Sequence, residues 1–406
     1  MRTGKKRKIL VLNAGSSSLK YRLFSIHDFS ALATGLVEEI GSARAGASLT
    51  FADEESGRHE IRVGRDIPGH REAIEIMFGM LMEGGVLSDM SELAGIGHRV
   101  VHGGERFHQP VMIDKDVMSA IEALVPLAPL HNSANLAGIR LASEHAPTVP
   151  QVAVFDTAFH QTVPDYGFLY ALPYGLYREQ GVRRYGFHGT SHAYVCKKAA
   201  DYLGRPLAEL DIISLHLGNG ASATAVQGGK SVDTSMGMTP LEGLIMGTRS
   251  GDVDPAILFY LSRETGVTME ELDLMLNRES GLRGICGESD MRGIVMAVEA
   301  GDRQARLALD MFCYRIRKYI GAYMAVLGGA DCIVFTGGIG ENSPVVREMA
   351  CRGLERLGVV LDHGKNSALR GRTGGIGAGD GNVAVLVIPT DEELEIARQT
   401  WQVISR

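Results

Sequence analysis

Three stretches of this sequence set small polar residues at the end of an apolar run. In Leu10-Val11-Leu12-Asn13-Ala14-Gly15-Ser16-Ser17-Ser18-Leu19-Lys20 the run gives way to a hydroxyl-rich turn. Backbone N–H groups and serine hydroxyls in such a turn can be aimed at phosphate oxygens. Lys20 adds a positive point charge, and Asn13 offers a carbonyl ligand near a metal. His216-Leu217-Gly218-Asn219-Gly220-Ala221-Ser222 repeats the logic with no bulky side chain in the way. Thr336-Gly337-Gly338-Ile339-Gly340-Glu341-Asn342 follows a strand and precedes a helix, where bare glycines let a flat ring or a phosphate lie against the backbone. Turn chemistry alone serves a plain hairpin as well, and a type I′ turn is the competing reading of the second stretch.

Ionic residues sit in similar settings. Arg99 in His98-Arg99-Val100-Val101-His102-Gly103-Gly104 lies at the mouth of a strand, and Arg249 in Met246-Gly247-Thr248-Arg249-Ser250-Gly251-Asp252 lies in a loop. A guanidinium is a planar fork suited to carboxylate or phosphate, although a single arginine more often makes a surface ion pair. Asp156 ends the apolar run Val152–Phe155, where carboxylates of open α/β sheets gather. His188 lies between glycines in Tyr185-Gly186-Phe187-His188-Gly189-Thr190, which favours access. Asp290 and Arg292 in Ser289-Asp290-Met291-Arg292 form a charge pair that would equally end a helix. No G-x-G-x-x-G, H-E-x-x-H, G-x-S-x-G or zinc-spaced His/Cys set occurs, so dinucleotide-binding Rossmann, metalloprotease and serine hydrolase readings lack support. Gly228-Gly229-Lys230-Ser231 imitates the end of a P-loop, but Thr224 stands where its first glycine belongs, so it reads as a turn.

The elements that must hold these residues alternate strand, Gly-rich turn and helix, an α/β pattern. Expected strands are Ile9–Leu12, Leu19–Ser25, Ala94–Val101, Gln151–Phe155, Asp211–Leu217, Ala221–Gln227, Cys332–Thr336 and Val383–Ile388. Expected helices begin at Asn132 or Ser133, at Thr190 or Ser191, at Asp302, at Ser343-Pro344, and at a capping box Thr390-Asp391-Glu392-Glu393. The strand–turn–strand unit at Leu10–Tyr21 recurs at Asp211–Gln227, which suggests a duplicated domain. At 406 residues the chain is long enough for two or three domains. Its 41 Lys and Arg against 48 Asp and Glu leave it mildly acidic, a balance that argues against nucleic-acid or anionic-membrane partners. The 51 glycines are nearly twice the usual share and have no period, so many backbone positions approach something closely. Five cysteines without a C-x-x-C pair, no apolar run long enough to span a membrane and no signal-peptide pattern make the cytoplasm the expected compartment.

Taken in order, the motifs resemble the acetate kinase family. The resemblance is carried by residues 12–20 and by Arg99-Val100-Val101-His102-Gly103-Gly104, Leu130-His131-Asn132 and Phe155-Asp156-Thr157-Ala158-Phe159-His160. It continues through Arg184-Tyr185-Gly186-Phe187-His188-Gly189-Thr190-Ser191-His192, the stretches at 216–220, 246–252 and 336–342, and Thr390-Asp391-Glu392-Glu393-Leu394. It spans nearly the whole chain. It implies the fold of the acetate and sugar kinase, heat-shock chaperone and actin superfamily: two duplicated actin-like (ribonuclease H-like) α/β domains around a nucleotide cleft, here 1–155 plus 392–406 and 156–391.

By matching position, the resemblance makes Asn13 and Glu392 the Mg²⁺-site residues, with Mn²⁺ as a substitute ion. Lys20, His216, Leu217, Gly218, Asn219, Gly220, Asp290, Met291, Arg292, Gly338, Ile339, Gly340, Glu341 and Asn342 would contact ATP or ADP. Arg99 would hold the substrate carboxylate, with Val101, Leu130, His131, Phe187 and Pro240 around it. Asp156, His188 and Arg249 would be catalytic. The implied activity is reversible phosphoryl transfer from ATP to acetate, with propionate or another short-chain carboxylate as the alternative, in a homodimer. A carboxylate is already ionised at neutral pH, so Asp156 is expected to orient Arg99 and substrate and not to abstract a proton. Two other classes compete. A non-catalytic actin-like nucleotide switch would need neither Arg99, His188 nor Arg249, and a sugar kinase would need a carboxylate base for a hydroxyl.

Overall fold

The structure, a computed structural model, describes residues 8–53, 57–64, 66–379 and 381–406, with Asp53 and Leu130 described by their backbone alone. The chain forms two compact units, Met1–Ala158 with Asp391–Arg406, and Phe159–Thr390.

In the first unit the strands are β1 (Lys8–Ala14), β2 (Leu19–Ser25), β3 (Ala31–Glu38), β4 (Gly46–Asp53), β5 (Gly57–Gly64), β6 (Leu93–Val100), β7 (Val111–Met112) and β8 (Gln151–Phe155), in the sheet order β5-β4-β3-β2-β1-β6-β8-β7. β1 and β2 are an antiparallel hairpin, while β1–β6 and β6–β8 are parallel. Ile9, Leu10, Val11 and Leu12 are fully buried, as a run covered on both faces of a sheet must be. One cover is the helix Glu392–Ile404, whose Ile396 and Ala397 share a core cluster with Ile9, Val11, Val152 and Val154. Two glycines of β6 permit that approach: a Cβ on Gly97 would stand 2.3 Å from Thr400 Oγ1, and one on Gly95 would stand 2.9 Å from Ile404 Cδ1.

The second unit has β9 (Asp211–Leu217), β10 (Ala221–Gln227), β11 (Lys230–Thr234), β12 (Cys332–Thr336), β13 (Gly374–Gly375) and β14 (Ala384–Val387), ordered β11-β10-β9-β12-β14-β13. Again an antiparallel hairpin, β9–β10, is followed outward from β9 by two parallel neighbours, β12 and β14. Strands β3-β2-β1-β6-β8 and β11-β10-β9-β12-β14 therefore repeat one topology, the duplicated actin-like pattern expected from the sequence. The helix Arg303–Leu327 buries Ala305, Leu309, Phe312, Ile316 and Tyr323 on one face, whereas Tyr319 stays half-buried and donates its hydroxyl to Asp252 Oδ2 at 2.9 Å. The P-loop mimic is a two-residue turn joining β10 to β11, with Gly228 and Gly229 both at positive φ (55° and 81°).

Several expected boundaries move. The helix placed at Asn132 or Ser133 starts at Pro129, with proline supplying the first-turn φ. Asn132 is no cap: it is buried, accepts from His102 N and donates to His102 O, both at 3.0 Å. The helix expected from Thr190 or Ser191 begins at Gly189, with His188 in the N-cap position. Gly337–Asn342 is a short helix instead of an open turn, and Ser343 makes no side-chain cap bond to the next helix. The last helix is capped by Asp391, whose Oδ1 accepts from Leu394 N at 3.0 Å, not by a Thr390–Glu393 box. Asp391 also accepts from Arg22 Nη1 at 2.6 Å, and that ion pair fixes the cap one residue later than spacing suggests.

Candidate active site

Sheet register gathers the first unit's polar residues. β1 lies between β2 and β6, Asn13 pairs with Lys20, and Leu12 pairs with His98, so the side chains that follow emerge together at the carboxyl ends of the parallel strands. Arg99 Nη1 donates to Asn13 Oδ1 at 3.4 Å. Its Nε and Nη2 donate to Asp156 Oδ2 at 2.9 and 2.6 Å, and Asp156 is fully buried at the exit of β8. Burial alone would lower the Arg99 pKa, but Asp156 and Glu392 more than offset it and hold the guanidinium firmly charged. Lys20 and the turn serines Ser16 and Ser17 are exposed. The strand exits are held by helix Pro129–His145: Asn135 accepts from Val101 N at 3.1 Å and donates to Ala14 O at 2.7 Å.

Glu392 is the unsettled member of this group. The residue is half-buried, yet its Oε1 is shut off from solvent and has no hydrogen-bond partner. Burial raises its carboxyl to about 7; Arg99 and Lys20 pull it down, while Asp156 and Glu393 push it up. A buried carboxylate oxygen with an unused lone pair, beside an Arg99 that also holds the Asn13 amide oxygen, belongs to the donor types a hard divalent cation takes. Among the described residues no three His, Cys, Asp or Glu side chains group to cage a metal alone. An ion here would thus draw its remaining oxygens from phosphate and water, the usual condition for Mg²⁺.

In the second unit His188 stands in the left-handed region (φ 56°) at the N-terminus of helix Gly189–Leu203. Such a conformation in a histidine is strained and needs surrounding structure to hold it. Its Nδ1 lies 2.9 Å from Ser222 Oγ on β10, and its ring stacks on His216 with centroids 4.2 Å apart. His216 Nδ1 in turn meets Ser191 Oγ at 2.8 Å. Arg249 Nη1 donates to Pro240 O at 2.7 Å. Burial and the Arg278 charge lower the Arg249 pKa. Gly220 marks where the two groups meet: a Cβ there would lie 3.3 Å from Arg249 Nη2 and 3.5 Å from His188 Nε2.

The turn 218–220 has no positive φ, so it is not the type I′ hairpin turn that spacing allows. Gly218 N donates to Gly220 O at 3.0 Å, and Gly247 N donates to Asn219 O at 3.0 Å, which fastens the Arg249 loop to the turn. A Cβ on Gly247 would strike Asn219 Oδ1 at 2.0 Å, so a larger residue there would displace the Asn219 side chain.

Gly218 and Asn219 also open onto a cavity of about 1070 Å³. Asp290, Met291, Arg292, Gly338, Ile339 and Asn342 line it, as do Ser289, Val295, Met296, Glu299, Ser343, Pro344, Val345 and Arg370. The second set was missed from sequence; its only local signal is that Val295, Met296 and Glu299 follow Met291 and Arg292 by a helical turn or two. Asp290 does end a helix, accepting from Arg292 N at 2.8 Å and pairing with its guanidinium at 2.5 Å, and lines the cavity as well. His216, Leu217, Gly220, Gly340 and Glu341 are not in the lining. Glu341 turns inward, its Oε1 accepting from Gly337 N at 2.9 Å and Thr390 N at 3.1 Å, so its side chain braces the short helix.

Of the expected substrate-side residues, Val101 is buried beyond β6 and His131 is half-buried in helix Pro129–His145. Leu130 lies in that same helix, and its side chain is outside the described residues. Phe187 is buried beside His188, with its carbonyl 3.0 Å from His160 Nε2. Pro240 is half-buried, and its carbonyl is the one that holds Arg249.

The profile of the Acetokinase family matches residues 8–398 of this sequence. An acetate kinase of Syntrophobacter fumaroxidans is 55% identical over 404 residues, 98% of this chain and 97% of that protein. One from Thermotoga maritima is 51% identical, covering 98% and 99%. Among solved structures, Porphyromonas gingivalis acetate kinase superposes with a TM-score of 0.92 at 44% identity, covering 98% of this chain and 100% of that one. A propionate kinase from Francisella tularensis gives 0.91 at 43%, with the same coverage.

Proposed function

The chain belongs to the Acetokinase family, and from that premise we propose that it moves the γ-phosphoryl group of ATP to acetate, reversibly, giving acetyl phosphate and ADP. It is a phosphotransferase with a carboxyl group as acceptor. An acetate oxygen forms the new bond to phosphorus; the bond to the bridging oxygen breaks, and its electron pair leaves with ADP. No proton changes hands, because acetate is ionised at neutral pH.

What the chain must supply is compensation for two anions forced together. The observation that carries the reading is the convergence of Arg249 Nη2 and His188 on the backbone of Gly220, at the turn that opens onto the cavity. His188 and Arg249 stabilise the equatorial oxygens of the phosphoryl group in flight. Arg99, held by two bonds to Asp156, grips the acetate carboxylate, and Asp156 acts by fixing that guanidinium. Nucleotide occupies the cavity, with phosphates toward Gly218–Gly220 and Lys20 as a further ATP contact. Asn13 and Glu392 would hold Mg²⁺ through oxygen, directly or through water, and the ion would supply charge neutralisation on the phosphates.

To contact with acetate we assign Val101, Leu130, His131, Phe187 and Pro240. Propionate as an alternative acceptor is the second reading, supported by the likeness to a propionate kinase; one methylene changes discrimination by only about 1–3 kcal/mol. A homodimer fits the helix Ala256–Thr265, which buries none of its residues within this chain and exposes Ile257, Phe259 and Tyr260. Cytoplasmic location fits the five cysteines, all free thiols. The deciding experiment is ADP release with acetate, propionate and butyrate at equal concentration. Acetate should give the highest kcat/KM. Release that depends on glycerol or a hexose, and on none of the three acids, would refute the proposal.

A further inference from the structure

The second unit carries histidine and serine side chains beyond those its chemistry requires. His192, on helix Gly189–Leu203, is fully buried one turn beyond His188. Both its ring nitrogens meet hydroxyls: Nδ1 is 2.8 Å from Ser214 Oγ on β9, and Nε2 is 2.8 Å from Ser222 Oγ on β10. Ser222 is buried as well and touches two rings at once, His192 Nε2 and His188 Nδ1. Its hydroxyl has one hydrogen, so it donates to one ring and accepts from the other.

Two arrangements satisfy this geometry. In the first, His192 Nε2–H donates to Ser222, and the Ser222 hydroxyl donates to His188 Nδ1, leaving the His188 proton on Nε2. In the second, both bonds reverse, and His188 either turns a bare Nε2 lone pair outward or becomes an imidazolium. His188 Nε2 faces the side of Gly220 that Arg249 Nη2 also faces. An outward lone pair would repel a phosphoryl oxygen there, and a second cation would stand beside the guanidinium. Arg249 faces His188 across Gly220, and that positive charge disfavours an imidazolium beside it. His192 is held neutral, since burial with His160 and His216 nearby lowers its pKa well below the usual value. It therefore has one N–H to commit.

We propose that Ser222 and His192 are positioning residues that pass a fixed hydrogen-bond polarity to His188, holding it as the neutral tautomer with its proton on Nε2. The inference rests on the role given to His188 above. His188 then donates a hydrogen bond toward the phosphoryl oxygens at neutral pH without gaining a proton first. The strained backbone at position 188 gains a purpose, because φ 56° is the conformation in which Nδ1 reaches β10.

The test compares His188→Ala, Ser222→Ala, Ser222→Thr and His192→Phe in the full chain, with nitrogen NMR of histidine-labelled wild type, the His188 signal assigned by its loss in His188→Ala. Wild type should show Nε2 protonated and Nδ1 bare near neutral pH. Ser222→Ala and His192→Phe should lower kcat about a hundredfold while KM for acetate and ATP stays within about threefold, and Ser222→Ala should mix the tautomers; a catalytic histidine wholly in the wrong tautomer costs about ten thousandfold elsewhere, and a mixed population costs less. Ser222→Thr keeps the hydroxyl and should restore most of kcat. Protonation on Nδ1, or on both nitrogens, in wild type overturns the proposal even if the variants fold poorly. So does a Ser222→Ala variant with wild-type kcat. If His188→Ala is nearly fully active, the role given to His188 has failed; if it is inactive while Ser222→Ala is not, only the relay has failed.

Discussion

Replacing Asp156 by asparagine separates two jobs that a buried carboxylate can have beside a phosphoryl acceptor. Both Arg99 bonds end on one oxygen, Oδ2, at 2.9 and 2.6 Å. An asparagine with its carbonyl in that place keeps both acceptor contacts and loses only the charge. Hydrogen bonds to charged groups contribute about 1.5–3 kcal/mol, and with the guanidinium still charged but its counter-charge gone each bond should fall from the upper to the lower part of that range. Each bond thus loses roughly 1 kcal/mol or slightly more, and the pair about 2–3 kcal/mol. That corresponds to about 30- to 150-fold in kcat/KM for acetate. Because acetate stays ionised from about pH 6 to 8, the loss should be uniform over that range. A general base would behave otherwise: wild type would show an acidic limb that the variant lacks. The assay is steady-state kcat and KM for acetate and ATP across that range, followed by coupled ADP release. A kcat/KM within threefold of wild type, or a deficit that grows with pH, would refute the positioning role.

Glu392 gives a pH-dependent stability with a definite sign. Its carboxyl rises from 4.5 to about 7 on folding, chiefly through burial, so its contribution is fully present below about pH 4.5 and is lost as pH rises through about 7. In metal-free urea titrations Glu392→Gln should gain on wild type by about 2 kcal/mol between pH 5 and 8, a figure reduced for the residue's partial exposure. Added Mg²⁺ should close the gap by stabilising wild type alone, and equal pH profiles for the two proteins would reject the burial argument. Gly220→Ala keeps a backbone that any residue can adopt but adds a Cβ 3.3 Å from Arg249 Nη2 and 3.4 Å from His188 Cε1. Displacing those groups by a few tenths of an ångström should lower kcat about tenfold or more, with thermal unfolding little changed; unaltered kcat would place the reacting phosphoryl group elsewhere.

Much of the fold was legible because its signals are local. The four-residue apolar run of β1 and the single-face pattern of Arg303–Leu327 are each read within a few turns of chain. Where a distant partner competes for a local signal, sequence pattern and structure part. Asn132 looks like a cap, yet His102, thirty residues earlier, takes both ends of its amide. The capping box at Thr390 loses to Asp391 because Arg22 anchors that carboxylate from the other end of the chain. Glu341 sits in a glycine-rich motif and looks like a ligand, but Gly337 and Thr390 N–H groups claim its oxygen.

The sequence by itself determined the chemistry on offer: which residues are cations, which turns are bare of side chains, and that the strand–turn–strand unit occurs twice. Residue types and spacings within one element are properties of the chain, so they can be read from it. Only the tertiary structure decided that both Arg99 bonds fall on one Asp156 oxygen, that Glu392 Oε1 is left without a partner, and that Ser222 bridges two histidines. Each of these depends on strand register and on which side chains reach one buried point from distant parts of the chain. Hydrogen-bond partners and desolvation are set there, over a few ångströms of space and with no regard to separation in sequence.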